Sequence, residues 1–372
     1  MSDALNVGSF PYSPGFNPYQ RLATEAIERA GAQVTRIAPV KWFPVQHAFA
    51  TNECNILHFD WPHDWYHGKN AMTRMLKRWM YIQGLKKRSS KKLVWTAHNL
   101  VAHDAKDLNC EFQMLQRLVS RCDGIVVMSD ASEEELRRLY EVPATTLVQK
   151  ALHGHYIDCY ENNISRSAAR NKLGIDGNEQ VFLSIGSVRP YKGHLDMIRA
   201  FGAIARQGQR LLIAGKCSVA DYESQMRSEA VTQLTQNPNC HIDFHLKSVP
   251  DEQLQIYFNA SDICVLPFAR VLNSGSLLMA MSFGMPVVAS KMGSIPEIVF
   301  PESSVLFAPE SPNGLRVALD QAVSKFGLAH DALQPQRDQL IQRVKEAYDW
   351  LHFGNATVDL YRRLLRTDAK QA

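Results

Sequence analysis

The stretch VFLSIGSVRPYKG, residues 181–193, decides the fold. Val181–Ile185 is a short, mostly apolar run rich in β-branched and aromatic side chains, which reads as a buried strand. Gly186 ends it, and after Gly193 a helical pattern begins. A strand, a polar loop and a helix in that order open a βαβ unit, and the same alternation extends in both directions. Arg210–Ala214, His241–Phe244, Ile263–Leu266 and Pro286–Ala289 read as further strands on the C-terminal side. Leu5–Ser9, Gln33–Ile37, Asn55–Phe59, Leu93–Thr96 and Gly124–Met128 read as strands on the N-terminal side. The polar stretch Glu161–Asn178 between the two sets reads as a linker.

The chain has 372 residues, enough for about two domains. The expectation is an α/β protein with two Rossmann-like parallel-sheet domains facing a central cleft. They would span residues 1–165 and 178–345, with a closing helix at 346–372 that can return to the first domain. Asp338–Arg366 reads as one continuous helix. Asn17 is placed to cap a helix that has Pro18 at its first position and Gly31 at its end. Ser132 and Glu135 form a capping-box pattern for a helix running to Tyr140.

Composition narrows the function classes. Apolar residues make up 45% and charged residues 21%, as in ordinary globular protein. The start, MSDALNVGSF, lacks the basic and apolar regions of a signal peptide, and no run of 18 apolar residues suggests a membrane span. Seven scattered cysteines, never spaced as CxxC, argue against a disulfide framework or a structural zinc site and for a reducing, cytoplasmic setting. Residues 1–170 carry 21 Lys/Arg against 17 Asp/Glu and so hold the whole net charge of +4. No acidic residue occurs between Trp65 and His103. That window suits anionic lipid, a phosphate-bearing substrate or nucleic acid.

Ligands of parallel α/β sheets sit at the carboxyl ends of the strands. There is no GxGxxG after the first strand and no GxxxxGK, which disfavours a dinucleotide oxidoreductase and a P-loop ATPase. Instead, Ser187, Arg189 and Lys192 leave the strand at 181–185. Arg189 offers a bidentate fork and Lys192 a point charge, a pair suited to a diphosphate; the alternative is a solvated turn. A second cluster, Asn273, Ser274, Gly275 and Ser276, precedes an apolar helix at Leu277–Phe283 closed by Gly284. The bare N–H groups of a helix start favour an anion, or Asn273 or Ser274 is a plain cap.

With these clusters in place, the chain resembles glycosyltransferases of the two-Rossmann GT-B fold. The shared order in the second half is the Arg/Lys loop, Gly215, Val249-Pro250-Asp251, Ala260-Ser261-Asp262, Leu266-Pro267-Phe268 and Gly284-Met285-Pro286-Val287-Val288-Ala289. A closer resemblance is to bacterial exopolysaccharide enzymes of the xanthan β-mannosyltransferase type. The matching motifs are Asn17-Pro18-Tyr19, Ile56 to Pro62, His98-Asn99-Leu100, His103-Asp104, His153-Gly154-His155-Tyr156, Arg189 to Gly193 and Asn273-Ser274-Gly275. The resemblance implies a nucleotide-diphosphate sugar as donor substrate, with no cofactor and no metal ion. It also implies donor contacts from Val249, His153 and His155. The pair of histidines could alternatively resemble metal ligands, but no cysteine or carboxylate partner is placed near them.

Two departures stand out. The common retaining members carry two glutamates eight positions apart, and here those positions are Val271 and Met279. Where the xanthan-type pattern has a histidine before Trp-Pro and a glutamate after it, this chain has Asp60 and His63.

Loss of the glutamates removes the strongest argument for a retaining mechanism; the favoured alternative, inversion, needs a base for the acceptor hydroxyl and countercharge for the departing diphosphate. The candidates are Asp60, His98, His103 and Asp104, each just after a strand. Asp60 or Asp104 is the expected base and His98 the group that orients the sugar. Alternatively Asp60 caps the next helix, and His58 and His63 are satisfied polar groups. Asn70–Leu85 reads as a helix with Met72, Met75, Leu76, Trp79, Met80 and Ile82 or Gln83 near one face, followed by Lys86, Lys87 and Arg88. This face is either a docking surface for an anionic membrane and a lipid-linked or polysaccharide acceptor, or a sheet-packing surface with a solvated basic turn.

The expected function is transfer of a hexose, with mannose from GDP-mannose the first candidate, in exopolysaccharide biosynthesis. The protein would be cytoplasmic or peripheral on the inner membrane face. The alternatives are a retaining GT-B transferase and a non-catalytic sugar-nucleotide-binding protein. Nucleic acid is disfavoured, because the pI of 8.6 is modest and no recognition motif is present.

Overall fold

In the computed structural model, residues 5–13, 15, 17–51, 53–86, 89–101, 107–327 and 330–369 are described, with side chains except at 330–333 and 367–369. By their contacts the residues form two units, Met1–Gly154 with Tyr348–Ala372, and His155–Ala347.

The first unit runs β1 (Asn6–Phe10), α1 (Tyr19–Arg29), β2 (Gln33–Arg36), α2 (Pro44–Ala50), β3 (Ile56–Phe59), α3 (Ala71–Lys86), β4 (Lys92–Thr96), α4 (Leu108–Val119), β5 (Gly124–Val127), α5 (Asp130–Leu139) and β6 (Leu147–Lys150). The second runs α6 (Arg166–Leu173), β7 (Gln180–Ile185), α7 (His194–Ile204), β8 (Gln209–Ala214), α8 (Ala220–Gln236), β9 (His241–His245), α9 (Leu254–Ala260), β10 (Ile263–Leu266), α10 (Gly275–Ser282), β11 (Val287–Ser290), α11 (Ile295–Ile298), β12 (Ser304–Phe307), α12 (Gly314–Phe326) and α13 (His330–Ala347). The last helix, α14 (Trp350–Ala369), belongs to the first unit.

All pairings between these strands are parallel, and the two sheet orders differ. The first is β2-β1-β3-β4-β5-β6; the second, read from its far edge, is β9-β8-β7-β10-β11-β12. In each sheet the chain reverses its direction of winding beside the first strand of the unit. The reversal falls between β1 and β3 in one and between β7 and β10 in the other, and it leaves a crevice at the carboxyl ends of those strands.

α14 closes one face of the first sheet. Phe353, Val358, Leu360, Tyr361 and Leu364 are buried with Ile56, Val94 and Val126 of the sheet and Ala23, Ala26 and Ile27 of α1. Burying each such large apolar side chain contributes about 1.5–3 kcal/mol. Gly354 allows the close crossing of α1 and α14, because a Cβ there would lie 2.2 Å from the Ala26 carbonyl oxygen.

Several expectations change. The linker at 161–178 contains α6, capped by Ser165, whose side chain accepts from the Ala168 N–H. Arg166 and Arg170 on α6 both bind the buried Asp262, so its polar residues are committed to an ion-pair cluster. Contacts therefore divide the chain after Gly154, earlier than the polar stretch suggests. The continuous helix expected over 338–366 is two helices, α13 and α14, with Asp349 capping the second through the Leu351 N–H at 2.7 Å. The cap of α5 is Ser129, not Ser132, and Ser129 Oγ accepts from the Ser132 N–H at 3.0 Å. Two further four-residue strands, β6 and β12, complete the sheet edges.

Candidate functional site

In the first unit the crevice holds Asp60. Strand β3 ends at Phe59, in register with Phe10 of β1, and the Asp60 N–H donates to the Phe10 carbonyl at 3.1 Å. The Asp60 side chain is buried, and both its oxygens are engaged. Oδ1 lies 3.0 Å from His98 Nε2, and Oδ2 accepts from Gln20 Nε2 at 3.2 Å. Burial alone would raise the carboxyl pKa. The hydrogen bond from His98, the nearness of the His98 and His58 rings, and the Gln20 bond outweigh it and hold Asp60 below its ordinary value. Asp60 therefore does not cap a helix, and the 3-10 turn His63–Trp65 after it has no side-chain cap.

His98 is held on three sides. Its ring stacks on Trp61 at 4.5 Å with an interplanar angle of 21°, and Tyr19 meets it edge-on at 4.5 Å. His153 packs against Tyr19 and Trp350, each at 5.2 Å between ring centres, so it joins this first-unit cluster. Burial lowers its pKa to about 4, against the opposing hydrogen bond to the Gly154 carbonyl. His58 is satisfied by Thr96 Oγ1 at 2.6 Å and by the Tyr361 hydroxyl, and burial lowers it to about 4. His63 bonds the buried Glu111 at 2.5 Å, as do the Tyr66 hydroxyl and His67, both at 3.0 Å. Gln20 and Glu111 had no signal in the sequence, because their partners lie 40 or more positions away. His103 and Asp104 lie outside the described residues.

In the second unit the two clusters read from sequence come together. Gly186 follows β7 at φ +121°, a conformation that favours glycine. A Cβ on Gly186 would lie 3.1 Å from Lys192 Nζ and 3.8 Å from Ser276 Oγ. The lysine of one loop and the first turn of α10 thus converge over one bare backbone position. Ser274 caps α10, accepting from the Leu277 N–H at 3.2 Å, and Gly275 approaches the Tyr156 hydroxyl. Tyr156 in turn donates its N–H to Ser282 Oγ at 2.9 Å. Burial lowers the Lys192 ammonium to about 8. A half-buried cation near the start of a helix has the chemistry to receive an anion.

Ser187 is exposed and Arg189 half-buried at the start of the 3-10 turn Pro190–Lys192. Asn273 is half-buried beside the α10 cap, and Val249 is half-buried in the loop after β9. His155 belongs to the second unit and its Nδ1 accepts from the Ile157 N–H at 3.2 Å. Val271 is buried, and Met279 sits half-buried one turn beyond Gly275. Among the described residues, no group of three or more His, Cys, Asp or Glu is arranged to hold a metal ion, and no helix is long and apolar enough to cross a membrane.

Residues 165–345 match the family model for glycosyl transferases group 1. The fold is GT-B, and the family match, which spans just under half of the chain, marks the protein as a transferase. Over 98% of its length the chain superimposes on all of sucrose-phosphate synthase from Thermosynechococcus elongatus, with a TM-score of 0.71 and 18% identity. It resembles the GDP-mannose:glycolipid 4-β-D-mannosyltransferase of Xanthomonas campestris at 25% identity, over 73% of this chain and 69% of that one. An uncharacterized glycosyltransferase of Methanocaldococcus jannaschii is 22% identical over 81% of this chain and 74% of its own.

Proposed function

We propose that the protein transfers a hexose, mannose first among candidates, from a nucleoside-diphosphate sugar to a lipid-linked or polysaccharide acceptor in exopolysaccharide assembly, with inversion. The observation that carries this reading is the convergence of Lys192 Nζ and Ser276 Oγ over Gly186. That convergence offers a cation and a helix N-terminus to a diphosphate, with Arg189 close in the same loop. The donor sugar and glycolipid acceptor are suggested by the activity of the Xanthomonas relative. An acceptor of that kind implies work at the inner membrane face.

In this mechanism His98 is the base and Asp60 the positioning residue. The support is geometric: Asp60 is buried, ionised and bonded through both oxygens, which suits it to orient His98 rather than to collect a proton itself. The acceptor oxygen attacks the anomeric carbon as its proton passes to the His98 imidazole. The bond from that carbon to the diphosphate oxygen breaks, and its electron pair leaves with the nucleoside diphosphate. Lys192, Arg189 and the start of α10 stabilise the charge that develops there. These fixed cations supply the countercharge a divalent ion would otherwise bring, so the reading is metal-independent. Val271 and Met279 offer no carboxylate, in keeping with inversion.

A thermal-shift screen against GDP-, UDP-, ADP- and dTDP-sugars tests the reading. One donor should stabilise the protein, and Lys192→Ala should abolish that shift. Anomeric NMR of the product should then show the opposite configuration to the donor, and EDTA should leave turnover intact. A retained anomer would overturn the mechanism, and no shift with any donor would overturn the site.

A further inference from the structure

The apolar stripe of α3 faces solvent. Met72, Met75, Leu76 and Trp79 follow the i, i+3, i+4, i+7 spacing of one helix face, and in a sheet-packing helix that face would be the core face. The structure instead buries Met80, Tyr81, Gly84 and Leu85. The stripe is left open, with Met72 71%, Met75 69% and Trp79 52% exposed. A second segment joins it: Trp42 and Phe43, before α2, are also exposed, and the Phe43 ring meets Trp79 at 6.3 Å. Of the large apolar side chains that the first unit exposes, these six form one surface.

The surroundings are basic. Lys41 lies over the Trp42 ring at 5.3 Å, and Lys69, Arg74 and Lys86 flank or follow the stripe. Arg78 is paired with Asp107, and no acidic residue lies on α3. Lys87 and Arg88 lie outside the described residues. Aromatic and thioether side chains ringed by cations complement a surface that is apolar beneath and anionic above.

We propose that Trp42, Phe43, Met72, Met75, Leu76 and Trp79, with their basic rim, form a docking surface for an anionic lipid bilayer. The surface is composite: a turn that follows β2 and a helix that follows β3, so both segments start from the carboxyl edge of the first sheet, where Asp60 and His98 lie. Docking through it holds that edge at the bilayer. The inference deepens the lipid-linked-acceptor reading, and its test is independent of turnover.

The test is co-flotation of the full chain with vesicles of phosphatidylcholine, with or without about 30 mol % phosphatidylglycerol, from about 0.05 to 0.5 M salt. The expected result is binding to the anionic vesicles alone, weakening as salt rises. The pair Met75→Ser with Trp79→Ser, and separately Trp42→Ser with Phe43→Ser, should each weaken binding about tenfold. Both pairs should leave the melting temperature unchanged, because the side chains are exposed. Arg74→Glu with Lys86→Glu should abolish the lipid preference. Equal binding to neutral vesicles, no binding, or full binding by the serine variants overturns the proposal. So does a dimer in light scattering that the serine variants dissociate while no vesicle binds, which would make a second copy the occupant.

Discussion

The crevices of the two sheets are built by different means. In the second unit the site is largely backbone. A glycine at positive φ, a helix start and one lysine converge because β7 and β10 are neighbours. In the first unit the site is a side-chain assembly. Asp60, Gln20, His98, Trp61 and Tyr19 come from three elements and depend on one another's packing. On the proposed reading the second crevice holds a diphosphate and the first moves a proton; a diphosphate has the same shape whatever sugar it carries, so a backbone cradle would serve every donor. Proton transfer requires one nitrogen in one orientation, which only a locked side-chain network supplies.

That contrast can be broken by mutation. The largest expected effect is at the base: His98→Ala should lower kcat by about a thousandfold while the donor-induced thermal shift stays intact. Asp60→Asn should cost nearly as much, because the amide can donate to Nε2 and favour the wrong tautomer. Asp60→Asn with near-full turnover would remove Asp60 from the dyad.

Lys192→Ala comes next and should act on the other crevice. It should raise the donor KM by about a hundredfold with a smaller loss in kcat, since a charge-assisted bond to a phosphate is at stake. Gly186→Ala should also raise the donor KM, because an L side chain is strained at φ +121° and the new methyl would press on the ammonium 3.1 Å away. Should both variants change kcat alone, the division between holding donor and moving protons would fail.

A third prediction concerns pH. Lys192 loses its proton near pH 8, so donor kcat/KM should fall as pH rises through about 8. Lys192→Arg should move that fall upward, because a guanidinium stays charged.

Acid acts differently. His58 and His153 are held near 4 and His194 near 3, all mainly by burial, below the ordinary 6.5. The unfolded chain binds more protons than the folded one below about pH 6.5, so stability should decline from there towards pH 4. Denaturant midpoints across that range check the sign, and His194→Gln should flatten the decline.

The smallest expected effect is Tyr361→Phe. It removes one hydrogen bond to buried His58 at a cost of about 1 kcal/mol, read from the same midpoints.

Most of the sheet framework was legible from residue patterns, because buried parallel strands are short apolar runs. Ile263–Leu266 was read to the residue. β6 and β12 were not, since each is a four-residue edge strand, and Leu147–Lys150 ends in two polar residues. The break at 348–349 was also missed, because helical periodicity runs through it.

Residue pattern alone carried the α/β fold class and the two polar clusters that follow strands in the second half, since glycines, caps and apolar runs act locally. It also marked Asp60 and His98 as candidates. Only the tertiary structure decided that Asp60 spends both oxygens on Gln20 and His98, and that His153 joins the first-unit cluster. It alone turned the apolar stripe of α3 outward. The physical reason is the same in each case. A spacing of three and four states which side chains share a helix face, and a residue type states what it can bond. Neither states what stands opposite, because that is set by elements far away in the chain.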